Sequence, residues 1–243
     1  MKSIDLKAKL NTKINTKQMV IMSMFAALAY VMALVTRIDV SFLTYEMKDA
    51  VICLAAIILG APYGIVISLL VSAIEAFTIS TTGFWGFVMS FIASSVFSFT
   101  CAFIYDKLRS FNGAIISVYT AAAALTAVMI PLNLIFTPIY TGAPVSVVVD
   151  MIVPMLLPFN LAKALINGAL VLMFYKPIIT ALRRARLIVC DSKKCVIETD
   201  AGSKVVYDTD SFKFSSATCV TVVIGLVTII VGVVVFLWLS GKI

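Results

Sequence analysis

Histidine is absent from this sequence, and Asp, Glu, Lys and Arg together make up only 13% of its 243 residues. Histidine is the commonest general base and the commonest metal ligand in proteins, so its absence argues against catalysis and against a metal site. The sequence also lacks a glycine-rich phosphate loop of the Walker type, which excludes ATP hydrolysis by that mechanism. We therefore expect a protein that is not an enzyme and has no catalytic residues, bound metal or cofactor.

Cysteine is present, but it is scattered along the chain. The five cysteines are Cys53, Cys101, Cys190, Cys195 and Cys219. Most of them fall in apolar runs or in segments expected in the cytoplasm, so they predict no disulfide framework. Cys190 and Cys195 do not have the usual short zinc spacing, and no second pair completes a site.

Hydrophobic residues are abundant, at 62% of the chain, and they form long continuous blocks. A soluble domain of this size could not hide so much apolar surface behind a polar exterior, so the solvent of these blocks must be the bilayer. The runs are continuous rather than alternating, which favours helices over a β-barrel. The sequence predicts an all-α integral membrane protein.

The apolar runs predict a six-helix transmembrane core followed by a seventh, C-terminal transmembrane helix. The runs are 19–35, 50–59, 63–79, 84–105, 114–136, 155–175 and 217–239. A full span needs about 20 residues, and the run 50–59 is much shorter. We expect this second helix to cross only part of the bilayer and to leave a cavity on the outer side.

Polar segments divide the chain into four parts. These are a basic cytoplasmic N-terminus at 1–18, the six-span core at 19–186, a cytoplasmic polar segment at 187–214 and the additional transmembrane helix at 215–243. The polar segment resembles a hairpin around Ala201 and Gly202.

The distribution of basic residues predicts the orientation in the cell membrane. With the N-terminus in the cytoplasm, the loop Lys and Arg residues also lie there, apart from Arg37, Lys48 and Lys242. This topology accounts for the net charge of +7, so we expect membrane lipid and no nucleic acid as a partner.

The sharpest candidate for a binding site is Lys163, an ionisable residue within an apolar run. Asn160 and Asn167 lie three residues before it and four after it, on the same helical face. Asn133 adds an amide on the preceding span. These groups could tie helices together through hydrogen bonds, but a lysine flanked by two amides favours a site for a ligand with carbonyl oxygens, ring nitrogens and an apolar or aromatic body.

Glu75 has two equally weighted interpretations. It could pair with Lys48 or Arg37, or it could act in function, for example as a proton carrier. No second acid lies near it within the span, so a proton relay has little support.

Ala26, Ala29 and Ala33 form a small-residue stripe on the first span. Such a stripe allows another helix to approach closely. The spacing alone is equally compatible with packing inside the chain and with contact to another subunit.

Several motifs, in their order along the core, resemble the riboflavin-specific substrate-binding subunit, or S component, of energy-coupling factor (ECF) vitamin transporters. The motifs are the stretches 45–49, 74–76 and 137–144, Ser80, Gly83, Asn133, the stretch 158–163 and the pair Ile166 and Asn167. The resemblance covers 18–186, and the tail beyond it departs from the family pattern.

This resemblance implies a membrane protein that binds riboflavin in a pocket on the outer side. It implies association with a transmembrane coupling subunit and two cytoplasmic ATPase subunits, and release of the vitamin by toppling in the membrane. Asn133, Asn160 and Lys163 match contacts to the flavin ring and ribityl chain, and the alanine stripe matches the surface that docks on the coupling subunit.

The remaining residues expected to bind riboflavin also lie within these motifs. They are Asn167 and, in the pocket-closing loop 36–48, Tyr45, Glu46 and Lys48. Two alternatives stay open, an S component for thiamine or a folate and, with less support, a membrane-embedded enzyme that uses Glu75 or Lys163.

Overall fold

The computed structural model describes the chain from the first span to a β-hairpin beyond the sixth. The described residues are 16–40, 43–80, 83–108, 111–184, 189–190, 194–199 and 202–208. The predicted basic N-terminus lies almost entirely outside these residues, and the predicted seventh helix lies wholly outside them.

Helices dominate the described part. They are α1 (Thr16–Thr36), α2 (Lys48–Leu59), α3 (Ala61–Thr78), α4 (Gly83–Leu108), α5 (Phe111–Thr141), α6 (Val145–Asp150) and α7 (Leu157–Arg184), with a π-helical segment, Ile152–Leu156, before α7. The strands are β1 (Ile38–Val40), β2 (Leu43–Tyr45), β3 (Val189–Cys190), β4 (Lys194–Thr199) and β5 (Gly202–Asp208).

Five of these helices are long and apolar enough to cross a membrane. The segments are Thr16–Thr36, Ala61–Thr78, Gly83–Leu108, Asn112–Thr141 and Ile152–Tyr175. Together with α2 they form the six-helix membrane core that the sequence predicts.

Helix α2 is short, as expected from its short apolar run. Its 12 residues span about 18 Å, well below the thickness of the hydrocarbon core, which is about 30 Å. All of them are buried, because α1, α3, α4 and α7 surround the helix. Gly60, with φ of 131°, ends α2, and Pro62 lies in the first turn of α3, where its missing N–H costs no helical hydrogen bond. The chain can therefore reverse within a few residues and return as α3.

Gly64 permits close packing at the centre of the bundle. A Cβ at this position would lie 2.7 Å from Cβ of Ala56 on α2 and 2.9 Å from Oγ of Ser98 on α4. Neither distance leaves room for a side chain, so the missing Cβ allows α3 to approach both helices.

The alanine stripe on α1 faces the interior. Ala29 and Ala33 are fully buried within the chain, and Ala26 is half-buried against the same core. Ala29 and Ala33 therefore pack inside this chain, and the docking of a coupling subunit on the stripe stays a prediction. A four-residue spacing shows that two small side chains share a helix face, but it does not show whether that face packs inside the chain or against another subunit.

The segment between the fifth and sixth spans is more helical than expected. The predicted spans end at 136 and begin again at 155, which leaves 137–154 as a loop, whereas α5 continues through Pro131 and Pro138 to Thr141, and α6 and the π-helical segment follow. The Thr137 hydroxyl donates to Oδ1 of Asn133, and the Thr141 hydroxyl donates to the Thr137 carbonyl. These side-chain bonds accompany the helix past Pro138, whose missing N–H would otherwise favour an end to the helix.

A two-stranded antiparallel sheet, β1-β2, and a three-stranded one, β3-β4-β5, complete the described part. Strands β1 and β2 pair Ile38 with Tyr45 and Val40 with Leu43, within the loop expected to close a pocket. Strands β4 and β5 pair Thr199 with Gly202, which confirms the hairpin predicted in the polar segment.

Candidate functional site

A cavity of about 400 Å³ lies at the end of the bundle where the β1–β2 hairpin packs. Its walls come from the hairpin and from α3, α4, α5 and α7. The apolar part is lined by Leu43, Phe87, Met89, Leu125, Met129 and Phe159. The polar part is lined by Arg37, Asp39, Thr44, Glu46, Ser72, Glu75, Ser80, Ser90, Asn160 and Lys163.

Apolar packing holds the hairpin against α7. Leu43 and Tyr45 on β2 form a buried cluster with Phe159 and Ile166. Alternate residues of a strand point to the same side, so both hairpin residues face the helix. Burial, with the Asp49 carboxylate as a smaller contribution, raises the pKa of the Tyr45 hydroxyl well above its usual range, so it stays protonated at physiological pH.

Lys48, only 1% exposed, is the centre of a buried ion network. Its Nζ lies 2.6 Å from Oε2 of Glu46, also pairs with Oε2 of Glu75, and donates to Oγ of Ser90 at 2.7 Å. Arg37 adds a longer contact to Glu46, at 3.8 Å. A lone buried charge is costly, whereas this arrangement places two carboxylates and a hydroxyl around one ammonium. The network links the hairpin to α3 and α4, and it contains the pairing of Glu75 with Lys48 that was one of the two interpretations of Glu75.

Lys163 lines the cavity from α7 and contacts the other wall. Its Nζ lies 3.6 Å from Oδ2 of Asp49 and donates to the Thr44 carbonyl at 3.3 Å. The other carboxylate oxygen of Asp49 accepts a hydrogen bond from Ser94. Lys163 therefore joins α7 to the hairpin and to α2 while it remains accessible from the cavity.

The amides expected beside Lys163 have different roles. Asn160 lines the cavity, and its Nδ2 donates to the Leu156 carbonyl at 2.8 Å. Asn167 is fully buried behind the cavity wall. Its Nδ2 donates to the Glu46 carbonyl at 3.2 Å, and its Oδ1 accepts from the Ala50 N–H at 3.1 Å. These two bonds of Asn167 hold the junction between β2 and α2, and its Nδ2 also donates to the Lys163 carbonyl at 3.0 Å.

Four of the predicted site residues do not line this cavity. Asn133 is fully buried, donates to the Met129 carbonyl at 2.8 Å and accepts from Thr137. Tyr45, Lys48 and Asn167 support the wall from behind. Of the predicted set, Glu46, Asn160 and Lys163 line the cavity.

Sequence reasoning did not single out Ser72 and Ser90 on the cavity wall. Their hydroxyl oxygens lie 3.3 Å apart, and Ser90 also donates to Oε2 of Glu75 at 3.2 Å. Both serines fall in apolar runs, and no charge or motif marks either of them. Only the contact between α3 and α4 brings them to the site.

The fold and the site together define a membrane protein with a small-molecule cavity beneath a hairpin. Residues 17–175 match the family model for the substrate-specific component of ECF transporters. The chain belongs to this family and is an S component, the type of subunit that works with an ECF module.

Two known proteins illustrate this relationship. The riboflavin transporter FmnP of Bacillus subtilis (strain 168) is 27% identical over 186 residues, which cover 70% of this chain and 98% of that protein. A solved structure described as the S component of a bacterial ECF transporter aligns with a TM-score of 0.59 at 24% identity, over 69% of this chain and 98% of that one. The structural match supports the fold.

Proposed function

We propose that this S component binds riboflavin in the cavity beneath the β1–β2 hairpin and delivers it to an ECF module for uptake. The observation that carries the proposal is one cavity in which Lys163 and Asn160, both from the motifs that suggested riboflavin, face an apolar and aromatic wall. The similarity to FmnP, named as a riboflavin transporter, points to the same ligand.

The chemistry of the cavity suits a flavin. An isoalloxazine ring is planar and largely apolar, with carbonyl oxygens and ring nitrogens along one edge. Phe87, Met129 and Phe159 supply apolar surface for the ring, and the Lys163 ammonium is a donor for its oxygens. The cavity volume of about 400 Å³ lies within the range of small-molecule sites.

The protein would act by binding, without chemistry of its own. A coupling subunit in the membrane and two cytoplasmic ATPase subunits would supply the energy. With the N-terminus in the cytoplasm, as the basic residues predict, the hairpin end of the bundle faces the outside. Riboflavin would then enter from outside the cell membrane.

A fluorescence titration of the purified protein tests this proposal. Riboflavin fluorescence should be quenched on binding. An excess of thiamine or folate should not displace riboflavin, so the fluorescence should not recover. No quenching at micromolar riboflavin, or displacement by one of the other vitamins, would contradict the proposed specificity.

A further inference from the structure

Cys190 and Cys195 lie opposite each other in the three-stranded sheet that follows α7. Strand β3 pairs with the central strand β4 in the antiparallel direction, so that Val189 is opposite Val196 and Cys190 is opposite Cys195. These two pairs are consecutive, so the register between the strands is regular at the cysteines. Residues directly opposite in a sheet belong to the same face. The fold therefore brings together two cysteines that four residues separate along the chain.

The spacing of opposed strand positions suits a disulfide. In an antiparallel pair, the Cα atoms of opposed residues are about 4.5 Å or about 5.5 Å apart, depending on whether the two residues exchange hydrogen bonds. Disulfides join residues whose Cα atoms are about 4.4–6.8 Å apart. Both kinds of opposed pair fall within this range, so the strand pairing need not change for a bond to form between Cys190 and Cys195.

The environment of this pair differs from that of the cysteines in the bundle. Cys53 on α2 and Cys101 on α4 are fully buried in the core, where water-soluble reagents do not reach a thiol. The sheet lies beyond the apolar part of α7, in the polar segment that the basic residues predict to be cytoplasmic. Cytosolic thiols are normally kept reduced, and disulfides that form there are transient. Cys190 and Cys195 therefore suit reversible thiol chemistry, in keeping with a sequence that predicts no structural disulfide framework.

We propose that Cys190 and Cys195 form a dithiol that a low-molecular-weight disulfide, such as glutathione disulfide, oxidises reversibly to a cross-strand disulfide. One protein thiolate attacks glutathione disulfide, which forms a mixed disulfide and releases one glutathione thiolate. The other protein thiolate attacks the protein sulfur of the mixed disulfide, which closes the cross-strand bond and releases the second glutathione. The two protein thiols give up two electrons and two protons, and glutathione disulfide is reduced to two glutathione thiols.

This site is independent of the proposed vitamin binding. The family match ends at residue 175, and the cavity lining ends at Lys163. Both cysteines follow these positions along the chain. Oxidation of the pair is therefore tested without a flavin.

Digestion with trypsin makes the disulfide directly measurable. Trypsin cleaves after lysine and arginine, so the two cysteines fall on separate peptides, 187–193 and 195–204. The full-length protein in detergent is incubated with reduced and oxidised glutathione, free thiols are blocked with iodoacetamide, and the peptides are analysed by mass spectrometry. A disulfide joins the two peptides, and dithiothreitol separates them again.

Two variants with a shifted cysteine are the matched controls. Cys195→Ser with Val196→Cys moves one thiol along β4 by a single position, and Cys190→Ser with Val189→Cys does the same on β3. Successive residues of a strand belong to opposite faces, so each variant places its two thiols on different faces of the sheet. A flexible segment would join the shifted pairs as readily as the natural pair, whereas the sheet favours the natural pair alone.

In the wild type, the joined peptides should exceed the glutathione-modified peptides about tenfold, because the second thiol attacks within the same molecule at a high effective concentration. Each shifted variant should give about tenfold less of the joined peptides and correspondingly more of the glutathione-modified ones. A wild type whose two cysteines stay reduced or each retain glutathione would overturn the inference. Equal yields of the joined peptides from the wild type and from either folded shifted variant would also overturn it, and the two variants provide this comparison independently.

Discussion

At the scale of single residues, Lys163 contributes most directly to the proposed site. Its ammonium reaches the cavity while it contacts Asp49 and the Thr44 carbonyl. We expect Lys163→Met to weaken riboflavin binding by about 1–3 kcal/mol, roughly 5- to 150-fold in Kd, because a ligand oxygen loses its charged donor. Fluorescence titration gives the Kd.

Lys107→Met is the matched control, since Lys107 is exposed at the end of α4 and contacts the Phe103 ring. It should bind riboflavin like the wild type. Unchanged affinity in folded Lys163→Met would limit Lys163 to joining α7 and the hairpin.

Two asparagines on α7 should separate binding from stability. Asn167→Ala removes the buried bonds to the Glu46 carbonyl and from the Ala50 N–H, so we expect the free energy of unfolding to fall by about 1–3 kcal/mol. Asn160→Ala should mainly weaken riboflavin binding, because Asn160 lines the cavity and its described bond is a local one to the Leu156 carbonyl, four residues before it.

Thermal unfolding in detergent and flavin titration of both variants measure the two effects. If Asn160→Ala destabilises the protein more than Asn167→Ala and binds riboflavin normally, the two assignments are reversed.

These residues also show what the sequence could predict at this scale. Asn160 and Lys163 are three positions apart, and helical periodicity alone places them on one face, so their common site was predictable. The roles of Asn167 and Glu75 depend on partners more than 25 residues away along the chain. The sequence was compatible with a structural ion pair and with a functional role for Glu75. It could not decide between them, because Lys48 contacts Glu75 only after α2 and α3 pack.

At the scale of elements, substitutions on the two faces of α1 show which face packs inside the chain. Ala29 is fully buried, whereas Ala27 is exposed. We expect Ala29→Leu to lower stability by about 1–3 kcal/mol, because the core has no space for the added atoms. Ala27→Leu, the matched control, should leave the free energy of unfolding nearly unchanged.

Thermal unfolding of the two variants in detergent decides between the faces. A stable Ala29→Leu variant together with a destabilised Ala27→Leu variant would show that the inward face is misassigned.

The elements differ in how far sequence determines them. The short α2 was predictable, since its apolar run ends at Gly60 and Pro62, which end one helix and permit another to start. The extension of α5 to Thr141 was not predictable, because Pro138 is usually a sign of a helix end and only the side-chain bonds around it indicate otherwise. The β1–β2 hairpin depends on packing of Leu43 and Tyr45 against α7, which local sequence does not reveal.

At the scale of the whole molecule, the binding unit should be separable from the tail. The cavity is lined by residues from Arg37 to Lys163, and the family match ends at 175. We expect a chain truncated after residue 186 to insert into the membrane and bind riboflavin with the affinity of the full chain. Titration of both proteins after size-exclusion chromatography makes the comparison. A truncated protein that is monodisperse yet has lost riboflavin would show that the tail supports the cavity.

The central claim is that this S component carries riboflavin in its cavity, and the ligand retained during purification tests it most directly. Protein purified from cells grown with riboflavin should show a flavin absorption spectrum, and the chromophore released on denaturation should be riboflavin by mass spectrometry, at about one molecule per chain. Lys163→Met prepared in parallel should retain much less. A colourless wild-type protein that is folded, or one that releases a different vitamin, would contradict the claim.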